Sequence, residues 1–91
     1  MPIFVAGISH HTAPLELRER LAITPGAYAA KVEELRESVG LREAVILSTC
    51  NRTELYGAAR DQLGGKLAEW LLKQGEITPE EAPGLVYQHA D

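Results

Sequence analysis

An α+β fold built on a four-stranded antiparallel sheet, with helices packed on one face, is what this sequence predicts, and three observations carry it. Short runs rich in β-branched and aliphatic residues alternate with segments of helical apolar spacing, in the order strand, helices, strand, strand, helix, strand. Only the polar stretch Ser48-Thr49-Cys50-Asn51-Arg52 separates the second strand from the third. It is too short for a crossover helix, so those two strands form a hairpin. The first run is apolar on both faces, as a central strand requires.

Taken in order, Ile3-Phe4-Val5-Ala6-Gly7-Ile8 is the first strand. Thr12 is placed to cap a helix, Pro14 suits a first helical position, and Leu17 and Leu21 share a face, which predicts a short helix over 14–21. Thr24-Pro25 repeats that start signal. Tyr28, Val32, Leu35 and Val39 then recur at helical spacing up to Gly40, a residue suited to a left-handed helix end. Ala44–Leu47 and Thr53–Ala59 are the two strands of the hairpin. Leu63, Leu67, Trp70 and Leu71 mark a further helix ending at Gly75, with Gly64-Gly65 weakening its first turn. After a loop over Thr78–Gly84, the run Leu85-Val86-Tyr87-Gln88-His89 is the last strand. Two split βαβ units in this order close into the ferredoxin-like plait.

Composition bounds the possibilities. At 91 residues, with 45% hydrophobic and 24% charged positions, the chain is one soluble domain with a single modest core. Its longest apolar runs are far below the ~20 residues that cross a bilayer, and the N-terminus lacks a signal-peptide pattern, so a cytoplasmic location is expected. One cysteine makes neither an internal disulfide nor, by itself, a zinc site, and His10, His11 and His89 match no ligand spacing. A net charge of −4 argues against a surface that coats itself in phosphates.

The chemistry-bearing candidates gather around Cys50. A free cysteine is ordinarily a small buried hydrophobe. Here the apolar runs on either side offered core places, yet the thiol stands in the polar turn between two strands, where loops carry function on a rigid scaffold. Arg52 beside it favours thiolate and is suited to a two-pronged grip on a carboxylate. Thr49 and Asn51 supply donors for a carbonyl or amino group, although both residue types are also at home in turns. His10 and His11 are expected a sheet length from the hairpin and are given loop and capping roles. His89 is expected at the same sheet edge as Cys50, exposed near the chain end. The charges of Glu80-Glu81 and of the helix from Tyr28 to Ser38 read as solvated faces.

Two stretches say more than their spacing. Val5-Ala6-Gly7-Ile8-Ser9-His10-His11-Thr12-Ala13-Pro14, followed by Leu17-Arg18-Glu19, and Leu47-Ser48-Thr49-Cys50-Asn51-Arg52-Thr53-Glu54-Leu55-Tyr56 resemble the N-terminal region of the glutamyl-tRNA reductase family, with similarity running on to Tyr87-Gln88-His89. The resemblance implies a ferredoxin-like catalytic domain in an NADPH-dependent enzyme. That enzyme reduces the glutamyl group of charged tRNA to glutamate-1-semialdehyde, the first committed step of tetrapyrrole (porphyrin) synthesis from glutamate.

By that resemblance Cys50 is the nucleophile that attacks the aminoacyl ester and forms a thioester, a better hydride acceptor than an ester. Thr49, Asn51 and Arg52 match the stretch that binds the glutamyl group, with Arg52 suited to its side-chain carboxylate. The family's nicotinamide-binding Rossmann domain, its helical dimerisation domain and the histidine used beside the cysteine are all expected to lie past Asp91. These residues alone are then expected not to complete the reduction and to be monomeric or weakly associated. The competing reading is a non-catalytic ferredoxin-like module that binds a small molecule or RNA. As an RNA platform the sheet is poor, since strand one offers only Phe4 and strand three only Tyr56 for stacking.

Overall fold

The computed structural model describes residues 2–81 and 84–90. β1 (Ile3–Ser9) leads into α1 (Leu15–Leu21), and a 3-10 turn (Pro25–Ala27) feeds α2 (Tyr28–Val39). β2 (Glu43–Ser48) and β3 (Arg52–Ala58) follow, then α3 (Lys66–Gln74) and β4 (Tyr87–Ala90). The four strands form one sheet in the order β2-β3-β1-β4, and every neighbouring pair is antiparallel. This is the ferredoxin-like plait the sequence predicts, with the hairpin and the central first strand in place.

The helices lie on one face because alternate residues of the strands supply one apolar surface. Phe4, Ala6 and Ile8 from β1, Leu55 from β3 and Ile46 from β2 are buried there with Leu21, Leu35, Val39, Leu67, Trp70 and Leu71 from the helices. Fully burying such a side chain contributes about 1.5–3 kcal/mol, so this layer is the main source of stability. Arg20 of α1 donates to the carbonyl of Gly75 at 2.6 Å, tying the first helix to the end of α3. Among the described residues no helix covers the other face of the sheet, and Ile3, Val45 and Leu47 are exposed on it.

Element boundaries differ from expectation where backbone chemistry intervenes. Pro14 stands at the N-cap of α1 rather than inside it. Thr12 does not cap that helix, because its Oγ1 accepts the Ser9 amide at 3.0 Å and closes a tight turn after β1. Thr24-Pro25 opens the 3-10 turn, and α2 starts only at Tyr28, ending at Gly40 with φ of 82° as its spacing implies. Gly64, with φ of 58°, delays α3 to Lys66, although Leu63 still packs into the core. Leu85 is buried but precedes the ladder, so β4 is four residues long. Ala82 and Pro83, within the expected Thr78–Gly84 loop, lie outside the described residues, as do Met1 and Asp91.

Two expectations about the histidines are overturned, for one reason. β1 runs antiparallel to β3, so the end of β1 meets the beginning of β3, and Ser9 pairs with Arg52. His10 therefore lies at the hairpin rather than a sheet length away, with its amide donating to the Asn51 carbonyl at 2.8 Å. β4 also runs antiparallel to β1, so its first residue, Tyr87, lies opposite Gly7 near the hairpin end of the sheet. His89 pairs with Val5, on the stretch of β4 that runs away from Cys50, not toward it.

Candidate functional site

The turn that presents Cys50 is built by its neighbours. The Thr49 amide donates to the Arg52 carbonyl at 2.8 Å, closing the hairpin. Thr49 Oγ1 accepts the amides of Asn51 at 3.2 Å and Arg52 at 3.3 Å, a side-chain turn in which a hydroxyl takes the place of a backbone acceptor. Below the turn, Ser48 Oγ lies 3.1 Å from Thr53 Oγ1 and accepts the Ile23 amide at 3.1 Å, fixing the hairpin base to the segment between α1 and α2. Cys50 is thus an exposed free thiol at the tip of a well-braced loop.

Thr49, Asn51 and Arg52 are exposed around it, so the structure brings all four sequence-predicted site residues together. Their roles divide. The lone pairs of the Thr49 hydroxyl shape the turn, and the Asn51 carbonyl holds the end of β1 through His10. The His10 and His11 rings lie against each other at a tilt of 39°, with centroids 3.9 Å apart, beside this junction. Among the described residues no group of three His, Cys, Asp or Glu side chains is arranged to hold a metal ion.

The open face of the sheet beneath the turn holds a polar cluster that the sequence pattern did not single out. Across the strands, Leu47, Glu54, Gly7 and Tyr87 stand in one row. Glu54 is only 7% exposed. Its Oε1 accepts the Tyr56 hydroxyl at 2.7 Å and its Oε2 accepts the Tyr87 hydroxyl at 2.5 Å. Arg52 Nη1 lies 3.7 Å from Oε1, with the arginine side chain 47% exposed. Gly7 makes the meeting possible, since a Cβ there would come within 2.8 Å of Glu54 Cγ, 2.9 Å of the Thr53 carbonyl oxygen and 3.0 Å of the Tyr87 hydroxyl. The period-two series Arg52, Glu54, Tyr56 was a usable signal for three of the four polar side chains of this cluster. Tyr87 arrives from 33 residues away and left none.

The electrostatics come from those contacts. The Tyr87 hydroxyl bond pulls the Glu54 carboxyl below its usual range; burial opposes this, and Tyr56 and the Arg52 charge add to the lowering. Burial, then the bond to Glu54, push the Tyr87 phenol well above the usual tyrosine range. A carboxyl with a depressed folded-state pKa contributes stability that is complete above the unfolded value of about 4.3 and fades as pH falls through the folded value. The stability gap between wild type and Glu54→Gln, measured by urea unfolding, is therefore expected to shrink between about pH 5 and about pH 3. A gap constant over that window would contradict an ionised, hydrogen-bonded Glu54.

Among the described residues there is no cradle for a dinucleotide. β1 runs directly into Ser9-His10-His11-Thr12, and none of the described strands leads through a glycine-rich phosphate turn into a helix. The residues present therefore do not fit the NADPH that the family implies. No helix among the described residues is long and apolar enough to cross a membrane.

Comparison with known proteins bears on the whole chain. The family model described as the N-terminal domain of glutamyl-tRNAGlu reductase matches residues 6–91. A glutamyl-tRNA reductase from Marinobacter nauticus is 44% identical over 91 residues, covering 100% of this chain and 21% of that protein. Another, from Rubrobacter xylanophilus, is 55% identical over 74 residues, covering 76% of this chain and 17% of that protein. The solved structure of glutamyl-tRNA reductase from Methanopyrus kandleri aligns with a TM-score of 0.65 and 28% identity, over 76% of this chain and 16% of that one. The chain thus spans only 17% to 21% of the length of these curated relatives. With the plait, the hairpin motif and the sequence similarity in agreement, this chain belongs to the glutamyl-tRNA reductase N-terminal domain family.

Proposed function

We propose that this chain is the acylation domain of a glutamyl-tRNA reductase acting in tetrapyrrole synthesis, with Cys50 as its nucleophile. The observation that carries the reading is the placement of the chain's one cysteine, exposed at a braced hairpin tip, with the exposed guanidinium of Arg52 on the same turn. The Cys50 sulfur attacks the α-carbonyl carbon of the glutamyl ester. The bond to the tRNA ribose oxygen breaks, that oxygen takes up a proton, and a thioester remains on the protein. Arg52 meets the side-chain carboxylate of the glutamyl group with its two-pronged fork and so selects glutamate over an uncharged analogue. Asn51, exposed beside the sulfur, offers its amide to the reacting carbonyl.

The net charge of −4 gives the domain little general attraction for tRNA phosphates, so recognition centres on the aminoacyl end. The hydride donor is not held by these residues, and the step proposed for them ends at the thioester. Incubating the chain with glutamyl-tRNA, quenching in acid and weighing the intact protein is the direct test. One added glutamyl group, removed by hydroxylamine and accompanied by free tRNA, is expected. An unchanged mass under conditions where iodoacetamide still modifies Cys50 would overturn the reading.

A further inference from the structure

The contacts around Glu54 raise a problem for any role of Arg52 in binding a carboxylate. A nearly buried carboxylate stands two residues along the same strand face, and a guanidinium next to it should be captured in a bidentate pair and lost to substrate. It is not captured. The nearest approach is 3.7 Å, outside the 2.7–3.2 Å range of an N–H···O hydrogen bond. Each Glu54 oxygen instead accepts a tyrosine hydroxyl, Oε1 from Tyr56 on the same face of β3 and Oε2 from Tyr87, which reaches it from β4 across the bare backbone of Gly7.

We infer that Tyr56 and Tyr87 are positioning residues for glutamate selection: by occupying both oxygens of Glu54 they let its charge orient the Arg52 guanidinium while keeping the arginine fork open for the carboxylate of the incoming glutamyl group. The inference rests on the assignment of Cys50 and Arg52 proposed above. An arriving carboxylate brings two oxygens free of competing donors and wins the fork by geometry, whereas Glu54 holds the guanidinium only through space. Without the hydroxyls, the two freed Glu54 oxygens demand new donors, because a buried carboxylate cannot be left unsatisfied. Arg52 is the cation at hand. The arginine would then turn inward, and the site would lose glutamate affinity without losing its nucleophile.

The test uses two small probes, the benzyl thioesters of glutamate and of glutamine, which differ only in the side-chain charge. In each case a bond forms between the Cys50 sulfur and the α-carbonyl carbon, the bond to the benzyl sulfur breaks, and benzyl mercaptan leaves with the thiol proton. Intact mass gives the rate against probe concentration. Wild type is expected to favour the glutamyl probe. Tyr56→Phe with Tyr87→Phe is expected to raise the half-saturating concentration for the glutamyl probe about tenfold, leaving its maximal rate and the glutaminyl rate unchanged. Adding Glu54→Gln to that pair removes the competing carboxylate but also the charge that orients Arg52, and is expected to restore part of the lost glutamyl binding, a rescue that a merely structural role of the tyrosines would not produce.

The failures separate. A wild type that takes both probes at one rate overturns the role of Arg52 and this inference with it. A wild type that discriminates, beside a tyrosine-less variant that discriminates equally well, overturns the inference alone. If the double variant does not fold, Tyr56→Phe alone is expected to weaken glutamyl binding about threefold, and no shift there overturns the inference equally.

Discussion

Gly7→Ala is expected to destabilise the domain by about 1–3 kcal/mol, the usual cost of forcing an extra carbon into a packed site, and to lower glutamyl acylation in the same variant. The reason is not backbone freedom but space. Gly7 sits in the middle of β1, between Glu54 of β3 and Tyr87 of β4, and a methyl group there meets a side-chain carbon, a backbone oxygen and a phenol oxygen, all at 3.0 Å or less. The Thr53 carbonyl belongs to the β3 backbone and cannot swing aside as a side-chain tip can. Relief has to come from parting β1 from β3 or from expelling Tyr87, and either move breaks the hydrogen bond that leaves Glu54 satisfied. Urea unfolding measures the first effect and the glutamyl thioester assay the second. A variant with native stability and native acylation would show that the row across the sheet is looser than the distances imply.

Cys50→Ser is expected to abolish hydroxylamine-sensitive acylation, a loss of about a thousandfold or more, with stability within about 0.5 kcal/mol of wild type. An exposed side chain at a turn tip makes few contacts to lose, and the turn itself is closed by Thr49 and by backbone groups, not by the sulfur. Serine keeps the size of the thiol to within one atom but is a far weaker nucleophile near neutral pH without a base to activate it. Persistent acylation of Cys50→Ser by glutamyl-tRNA would place the nucleophile elsewhere. Loss of acylation together with loss of folding would make Cys50 a structural residue, contrary to its exposure.

The plait was legible because its signals are local. Short β-branched and aliphatic runs, the helical spacing of Tyr28, Val32, Leu35 and Val39, and the glycine after them each depend on a few adjacent residues, and each describes the element that formed. Legibility thinned where local signals competed. Thr12 has the residue type of a helix cap but is held by Ser9, and Leu63 kept its place in the core while Gly64 kept it out of the helix. The place of Cys50 and Arg52 on the exposed hairpin turn was readable from sequence position and residue type. Glu54 lay in the same motif but reads as an ordinary strand carboxylate until its burial and its two phenol partners are known.

The histidines show the limit most directly. Placing His10 and His11 at the far edge and His89 at the near one reverses the true arrangement, because edge placement depends on how strand directions combine across the sheet. β1, β3 and β4 are antiparallel neighbours, so the end of β1 meets the turn before β3 and the start, not the end, of β4. Residues close together in the chain were enough to define the elements, the hairpin, the motif that carries the family and the exposed place of the thiol. Assembly of the sheet was needed to bring His10 against the Cys50 turn and to carry Tyr87 across Gly7 to hold Glu54 beside Arg52. Those contacts join residues tens of positions apart, and their existence depends on strand register and on the missing side chain between them.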